Sequence, residues 1–197
     1  MVRAAQELGF PVAMKIVSPQ ITHKTEAGGV VLHVMQTDEA RAVFERIIDN
    51  ARRYNAQAEL HGVSVQEMVQ GGRETIVGMT SDPQFGPGII FGLGGIFVEV
   101  LQDTVLRVPP LDAAAAGEMI DACKGAVMLK GVRGHKPADL SAIVDILCKF
   151  SQLCCDLRDV VQEIDINPLL VLDAGQGVKA VDCLVVPAKA GVLQPNS

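Results

Sequence analysis

The sequence predicts an α/β chain of the α+β kind, built as two lobes whose sheets are rich in antiparallel strands. Three observations predict it. Short strand-like runs follow one another between Glu74 and Val108, separated by turn residues rather than helices. A strand, a glycine pair and a second strand succeed one another over Val63–Thr80, a pattern that can join two lobes with a ligand in the crease. The stretch Val160–Val186 alternates Val161, Ile164 and Ile166 with Glu163, Asp165 and Asn167, then returns through a Gly-rich turn as a hairpin. With 197 residues and 49% hydrophobic content, the chain can bury one good core or two small lobes that share a site.

Met1–Gly9 reads as the last turns of a helix stopped by Gly9, so the chain is expected to begin in mid-domain. Pro11–Val17 is a buried strand with one charge, Lys15, which must meet an anion or reach solvent because an unpaired ammonium in a core is costly. Ser18–Gly29 is a polar loop closed by Gly28 and Gly29, ahead of a second strand at Val30–Met35. Two readings are open for the loop. It is an ordinary connection, or its glycine N–H groups converge on a phosphate with His23 and Lys24 beside them. Asp38–Tyr54 is an amphipathic helix with the stripe Ala40, Val43, Phe44, Ile47, Ile48 and Ala51, and Thr37 stands where a cap is needed. Its arginines, Arg41, Arg46, Arg52 and Arg53, read as a solvated face.

Val63–Val69 and Glu74–Thr80 are the strands around the glycine pair, with Glu67 and Glu74 flanking the crease. After the turn Asp82–Gly88 come Ile89–Phe91, the loop Gly92–Gly95, a strand over Ile96–Leu101, a tight turn at Gln102 and Asp103, and Thr104–Val108 with Arg107. Together they make one antiparallel sheet. No long helix follows Gly92–Gly95, so these glycines are not a dinucleotide fingerprint. Leu111–Lys130 is helical with a break at Gly125. In the basic loop Gly131–Pro137, Arg133 is either a surface charge or a phosphate contact. Asp139 caps a helix with the stripe Leu140, Ile143, Val144, Leu147, Phe150 and Cys154. In the closing hairpin a turn centred near Gly175 brings Asp182 back beside Asn167. The oxygen-bearing side chains there are either a solvated outer face or a hard-oxygen site of the kind Mg²⁺ shares with phosphates and water.

A net charge of −6 argues against a nucleic-acid partner, which needs a basic surface to displace counterions. The longest apolar stretch, Gly88–Leu101, is broken by Gly92, Gly94, Gly95 and Glu99, so no membrane span is expected. The N-terminus lacks the pattern of a signal peptide, and the cytoplasm is the expected compartment. Cys123, Cys148, Cys154, Cys155 and Cys183 are odd in number and contain no C-x-x-C pair. They read as small buried hydrophobes, not as disulfide or zinc partners.

The motifs P-V-A-M-K-I at Pro11, S-P-x-I-x-H-K-T-E-x-G-G-V from Ser18, Q-E-M-V at Gln66 and E-T-I-V-G at Glu74 occur in that order. D-P-x-F-G-P at Asp82, F-G-L-G-G-I-F-V-E at Phe91, R-G-x-x-P-x-D at Arg133 and E-I-D-I-N-P-L at Glu163 follow them. Together, over nearly the whole chain, they resemble the ATP-grasp domain, or β subunit, of NDP-forming acyl-CoA synthetases, relatives of succinyl-CoA synthetase. The resemblance implies a small ATP-grasp lobe over 1–70, a large lobe over 71–187 and a tail over 188–197. Compared with the family, the small lobe lacks the helix and strand that precede Gly9, and is expected to be truncated at its N-terminus.

The resemblance further implies ATP or ADP and Mg²⁺ as cofactors. Lys15, Lys24, Gly28, Gly29 and Arg133 would bind phosphates, and Glu67, Met68, Val69 and Glu74 would line the hinge around adenine and ribose. Asn167, Asp182, Asp165 and Glu163 would hold the metal, with His23 and Arg107 in catalytic roles. The implied reaction converts acyl-CoA, ADP and phosphate into acid, CoA and ATP by way of phosphohistidine. His23 is placed to act as a relay, against the plainer reading of a histidine that only hydrogen-bonds loop backbone. Such an acid–thiol ligase component needs a CoA-binding and ligase domain, or an α subunit, carrying the principal phosphohistidine, and an oligomer is expected. Two other readings are a regulatory or scaffold module of a protein acetyltransferase, and an inert truncated domain whose unpaired strand edge favours self-association.

Overall fold

The apolar run Val12–Val17 forms β1, the middle strand of a three-stranded antiparallel sheet in the computed structural model, which describes residues 1–95, 103–132, 134 and 136–188. Its neighbours are β2 (Val30–Val34) and β3 (Gly62–Glu67). Val12, Met14 and Ile16 share one face by alternation, and they are buried with Val43, Ile47 and Ala51 of α2 (Thr37–Tyr54) and Ala5 of α1 (Val2–Leu8). Burying an Ile such as Ile16 or Ile47 contributes about 1.5–3 kcal/mol. This first unit spans Met1–Gln70, and the second spans Gly71–Ser197.

The helix α2 begins one residue earlier than its stripe predicts, and Thr37 lies inside it without capping it. Glu39 serves the helix entrance instead, its Oε2 accepting from Met35 N at 2.8 Å. Between Val12–Val34 and Met14–Val31 the pairing slips by one residue, and His33 in that bulge has a left-handed φ of 56°. A bulge of this kind blunts an edge strand as a template for self-pairing.

In the second unit β4 (Arg73–Asp82), β5 (Gly86–Leu93), β6 (Thr104–Arg107), β7 (Val161–Val171), β8 (Val178–Ala180) and β9 (Cys183–Pro187) form a six-stranded sheet. Its order is β6-β5-β4-β7-β8, with β9 also on β7 and every pairing antiparallel. One face carries Val77, Met79, Ile89, Phe91, Ile164, Leu169 and Val171. It is buried with Met119 of α3 (Ala113–Asp121), Leu129 of α4 (Ala126–Leu129) and Ile143, Leu147 and Phe150 of α5 (Leu140–Leu157). Asp139 caps α5 through a bond from Ala142 N at 3.1 Å. The strand expected over Ile96–Leu101, Arg133 and the tail from residue 189 onward lie outside the described residues.

All five cysteines are free. Cys123 and Cys154 are buried, and burial is the main cause that pushes their thiols up to about 11 and about 12. Cys148 and Cys155 are half-buried, and Cys183 is exposed, contrary to its reading as a buried hydrophobe. The physical reason is that β9, among the described residues, pairs only with β7 and so lies at the border of the sheet. Among the described residues no helix is long and apolar enough to cross a membrane.

Candidate functional site

The oxygen-bearing residues of the closing hairpin are brought together by two features of β7. The first is register. Leu169 pairs with Ala180 and Ile166 with Cys183, so one register runs on through the gap between β8 and β9, and Asn167 stands opposite Asp182. Asn167 N donates to the Asp182 carbonyl at 3.2 Å, and Val181 N to the Pro168 carbonyl at 3.0 Å. The second is a bulge. Thr75 pairs with Leu169 and Val77 with Ile166, so Asn167 and Pro168 together oppose the single residue Ile76. Ile164 faces the core before the bulge, and Leu169 and Val171 face it afterwards.

Asp165 pairs with Gly78 and Glu163 with Thr80, on the face opposite Val77 and Met79. Burial is the main cause that raises the Asp165 carboxyl above the ordinary carboxylate range. The Glu163 charge adds to the rise, a hydrogen bond with the Asn167 side chain opposes it, and the Asp182 charge adds a smaller push. Four hard-oxygen side chains therefore share one electrostatic neighbourhood, with negative charge in excess. Among the described residues, no three His, Cys, Asp or Glu side chains close into a metal cage by themselves. The set fits a cation such as Mg²⁺, which keeps water and phosphate oxygens in its shell. Cys183, though exposed as a residue, belongs to the same neighbourhood, its thiol raised by partial desolvation of the sulfur and then by the Asp165 and Asp182 charges.

Glu74 lies on the same face of β4 as Gly78, and its carbonyl accepts from Gly94 N at 2.7 Å. A Cβ on Gly94 would sit 2.7 Å from the Glu74 Cβ, so only glycine allows this approach. Arg107 is not brought to the acidic set. It pairs with Ile89 on the core-facing side, and its Nη1 donates to the Leu106 carbonyl at 3.0 Å. Arg133 lies outside the described residues.

In the first unit Lys15 is 5% exposed at the middle of β1, paired with Val30 and Ser64 on the face away from Met14 and Ile16. The loop after it bonds mainly to itself. Ala27 N donates to the His23 carbonyl at 3.2 Å, Gly28 N to Thr25 at 3.0 Å and Gly29 N to Lys24 at 2.8 Å. The two glycine N–H groups thus point into the loop instead of converging on an anion. The pair is glycine for room, since a Cβ on Gly28 would lie 2.8 Å from Asn50 Nδ2 and one on Gly29 2.5 Å from Ile16 Cγ2. His23 is exposed, with Nδ1 4.0 Å from Glu26 Oε1. Glu67 ends β3 opposite Val12, and Met68 and Val69 follow half-buried.

Three supports escape sequence reasoning. The Asp103 carboxylate, 3% exposed, accepts from Lys124 N at 2.8 Å and Gly125 N at 2.6 Å, tying β6 to the entrance of α4. Asp139 accepts from Gly177 N at 2.9 Å as well as capping α5. Bonds from Ser141, Gly177 and Ala142 hold its carboxyl below the usual range. Arg73 pairs with Asp173 at 3.2 Å and donates to the Lys136 carbonyl, fastening the hairpin tip to the loop before α5. Only the aspartates' turn and cap positions are visible as signals in the chain.

A two-lobe set of antiparallel sheets with a buried strand lysine and an oxygen-lined hairpin is the build of a nucleotide-binding ATP-grasp domain. The ATP-grasp domain family matches residues 1–186, and the chain belongs to that family. It is 47% identical over 182 residues to subunit beta of the ADP-forming acetate–CoA ligase II of Pyrococcus furiosus, covering 92% of this chain and 77% of that protein. It is 43% identical over 181 residues to the ADP-forming 4-hydroxybutyrate–CoA ligase of Nitrosopumilus maritimus, of which it spans only 26%. Among solved structures, the dinucleotide-forming acetyl-coenzyme A synthetase 1 of Ca. Korarchaeum cryptofilum, in complex with coenzyme A, Ca-AMPCP and HgCl+, superposes with a TM-score of 0.89. The two are 40% identical over 95% of this chain and 80% of that one.

Proposed function

We propose that the chain is the nucleotide-binding, phosphoryl-transferring part of an ADP-forming acyl-CoA synthetase, working with a CoA-binding partner that carries the principal phosphohistidine. The observation that carries this reading is the placement of Asn167 opposite Asp182, beside Asp165, within a chain of this family. Phosphoryl transfer requires little covalent chemistry from the protein and much charge neutralisation around a loose transition state. Lys15, a cation fixed at mid-strand, contacts the nucleotide phosphates. Asn167 and Asp182, with Asp165 and Glu163, hold Mg²⁺, which when bound neutralises phosphate oxygens.

Lys24 adds a second cation to the phosphate contacts. Glu67, Met68, Val69 and Glu74 receive adenine and ribose. His23 accepts the phosphoryl group on an imidazole nitrogen and hands it on, as a relay between nucleotide and partner. The relatives support a partner, because one is named as a subunit and another carries the matching segment as about a quarter of a longer chain. The assembled enzyme is an oligomer of such parts. Isothermal titration with ADP, with and without Mg²⁺, tests the reading. Micromolar binding that strengthens with the metal is expected. A folded sample that binds ADP equally well in both conditions, or not at all, overturns it.

A further inference from the structure

We propose that Glu26 is a positioning residue for His23. It holds the imidazole proton on Nδ1 and leaves the Nε2 lone pair as the atom that takes the phosphoryl group. This rests on the relay role given to His23 above. The loop's own bonding sets up the pair. The bonds from Ala27 N to the His23 carbonyl, from Gly28 N to Thr25 and from Gly29 N to Lys24 wind the chain into a tight turn, in which the side chains of His23 and Glu26 meet.

The turn's path is pinned from outside as well. The Asn50 amide donates to the Gly28 carbonyl at 3.0 Å, and Gly29 lies so close to Ile16 that no side chain fits. His23 Nδ1 and Glu26 Oε1 stand 4.0 Å apart with both side chains 72% exposed, near enough for the carboxylate charge to bias the ring proton toward Nδ1 in the free chain. A carboxylate on one ring nitrogen fixes the proton there and makes the other nitrogen the base.

The step balances without another reagent. The Nε2 lone pair forms the N–P bond to the γ-phosphoryl of ATP, the P–O bond to ADP breaks, and its electron pair leaves on the ADP β-phosphate oxygen. The ring, now cationic, keeps its Nδ1 proton against the Glu26 carboxylate, which offsets the new charge until the phosphoryl group moves on.

The test uses the full chain as wild type, Glu26→Ala, Glu26→Asp and, as a mapping control, His23→Asn. Each is treated in parallel with ATP plus Mg²⁺ and with phosphoramidate, which phosphorylates accessible imidazoles without any nucleotide. Mass spectrometry assigns the label to His23, and ³¹P NMR distinguishes the Nε2 from the Nδ1 adduct. The expected wild-type product is the Nε2 adduct from both reagents. Glu26→Ala is expected to give both adducts from phosphoramidate and to label from ATP roughly fivefold more slowly, the scale of an exposed ion pair. Glu26→Asp is expected to restore part of both, with an unchanged melting temperature throughout. Labelling from ATP with the same isomer and rate in Glu26→Ala overturns the inference alone. No labelling of His23 from ATP in the wild type overturns the relay role and the inference with it.

Discussion

Asp103 offers the sharpest energetic test of how the second unit is held together. Its carboxylate is buried, and its two oxygens take separate backbone donors, Lys124 N at 2.8 Å and Gly125 N at 2.6 Å. The fit leaves no slack nearby. A Cβ on Gly125 would lie 3.1 Å from Asp103 Oδ2, and one on Gly92 would lie 2.6 Å from the Asp103 carbonyl. Hydrogen bonds to a charged group contribute about 1.5–3 kcal/mol each, so Asp103→Ala, which orphans both donors, should cost about 3–6 kcal/mol. That is a large share of the roughly 5–15 kcal/mol that holds a domain folded. Asp103→Asn keeps the shape and one acceptor but turns an amide NH₂ toward a backbone N–H, and should cost about 2–4 kcal/mol. Urea unfolding followed by circular dichroism measures the loss, and hydrogen exchange of the Lys124 and Gly125 amides locates it. If Asp103→Asn unfolds at the wild-type urea midpoint with both amides still protected, the carboxylate is not the clamp described.

Lys15→Met keeps the volume and removes the charge, and should weaken ADP binding about 10–100-fold by titration, the worth of one charged phosphate contact; an unchanged affinity removes Lys15 from the site. Asp182→Asn should abolish the strengthening of ADP binding by Mg²⁺ while leaving the metal-free affinity near the wild-type value, and a retained metal effect refutes its role. Gly29→Ala places a Cβ 2.5 Å from Ile16 Cγ2 and 3.0 Å from the Lys24 carbonyl, and should cost about 1–3 kcal/mol by overpacking, read as a lowered melting temperature. The Asp139 carboxyl is held below its unfolded value, so its contribution to stability is present above that value and is lost as pH falls through the folded one. Acid unfolding of Asp139→Asn should therefore lack a destabilising step that the wild type shows below about pH 4.

Features that depend on neighbours along the chain were legible in the amino-acid order. The stripe from Ala40 to Ala51 gives α2 its buried face, because a 3.6-residue period needs no distant partner to be read. The hairpin from Val161 to Val186 is equally local, since the turn at Asp173–Gly177 sets which residues return opposite one another. The membership of the ATP-grasp family followed from motifs in order along the chain.

Only the tertiary structure decided matters that hang on a partner strand or on a residue far away. The bulge at Asn167–Pro168 exists in relation to β4, so alternation within β7 could not announce the change of face. Arg107 reads as a strand arginine, but its pairing with Ile89 turns it away from Asp165. The order of residues leaves Gly28 and Gly29 open between a plain connection and a phosphate loop, and only the packing of Asn50 and Ile16 against them shows why no side chain fits at either position. Asp103 finds its two donors across a helix and a turn. A sequence carries the period of each element, whereas burial, register and hydrogen-bond partners arise only when elements meet.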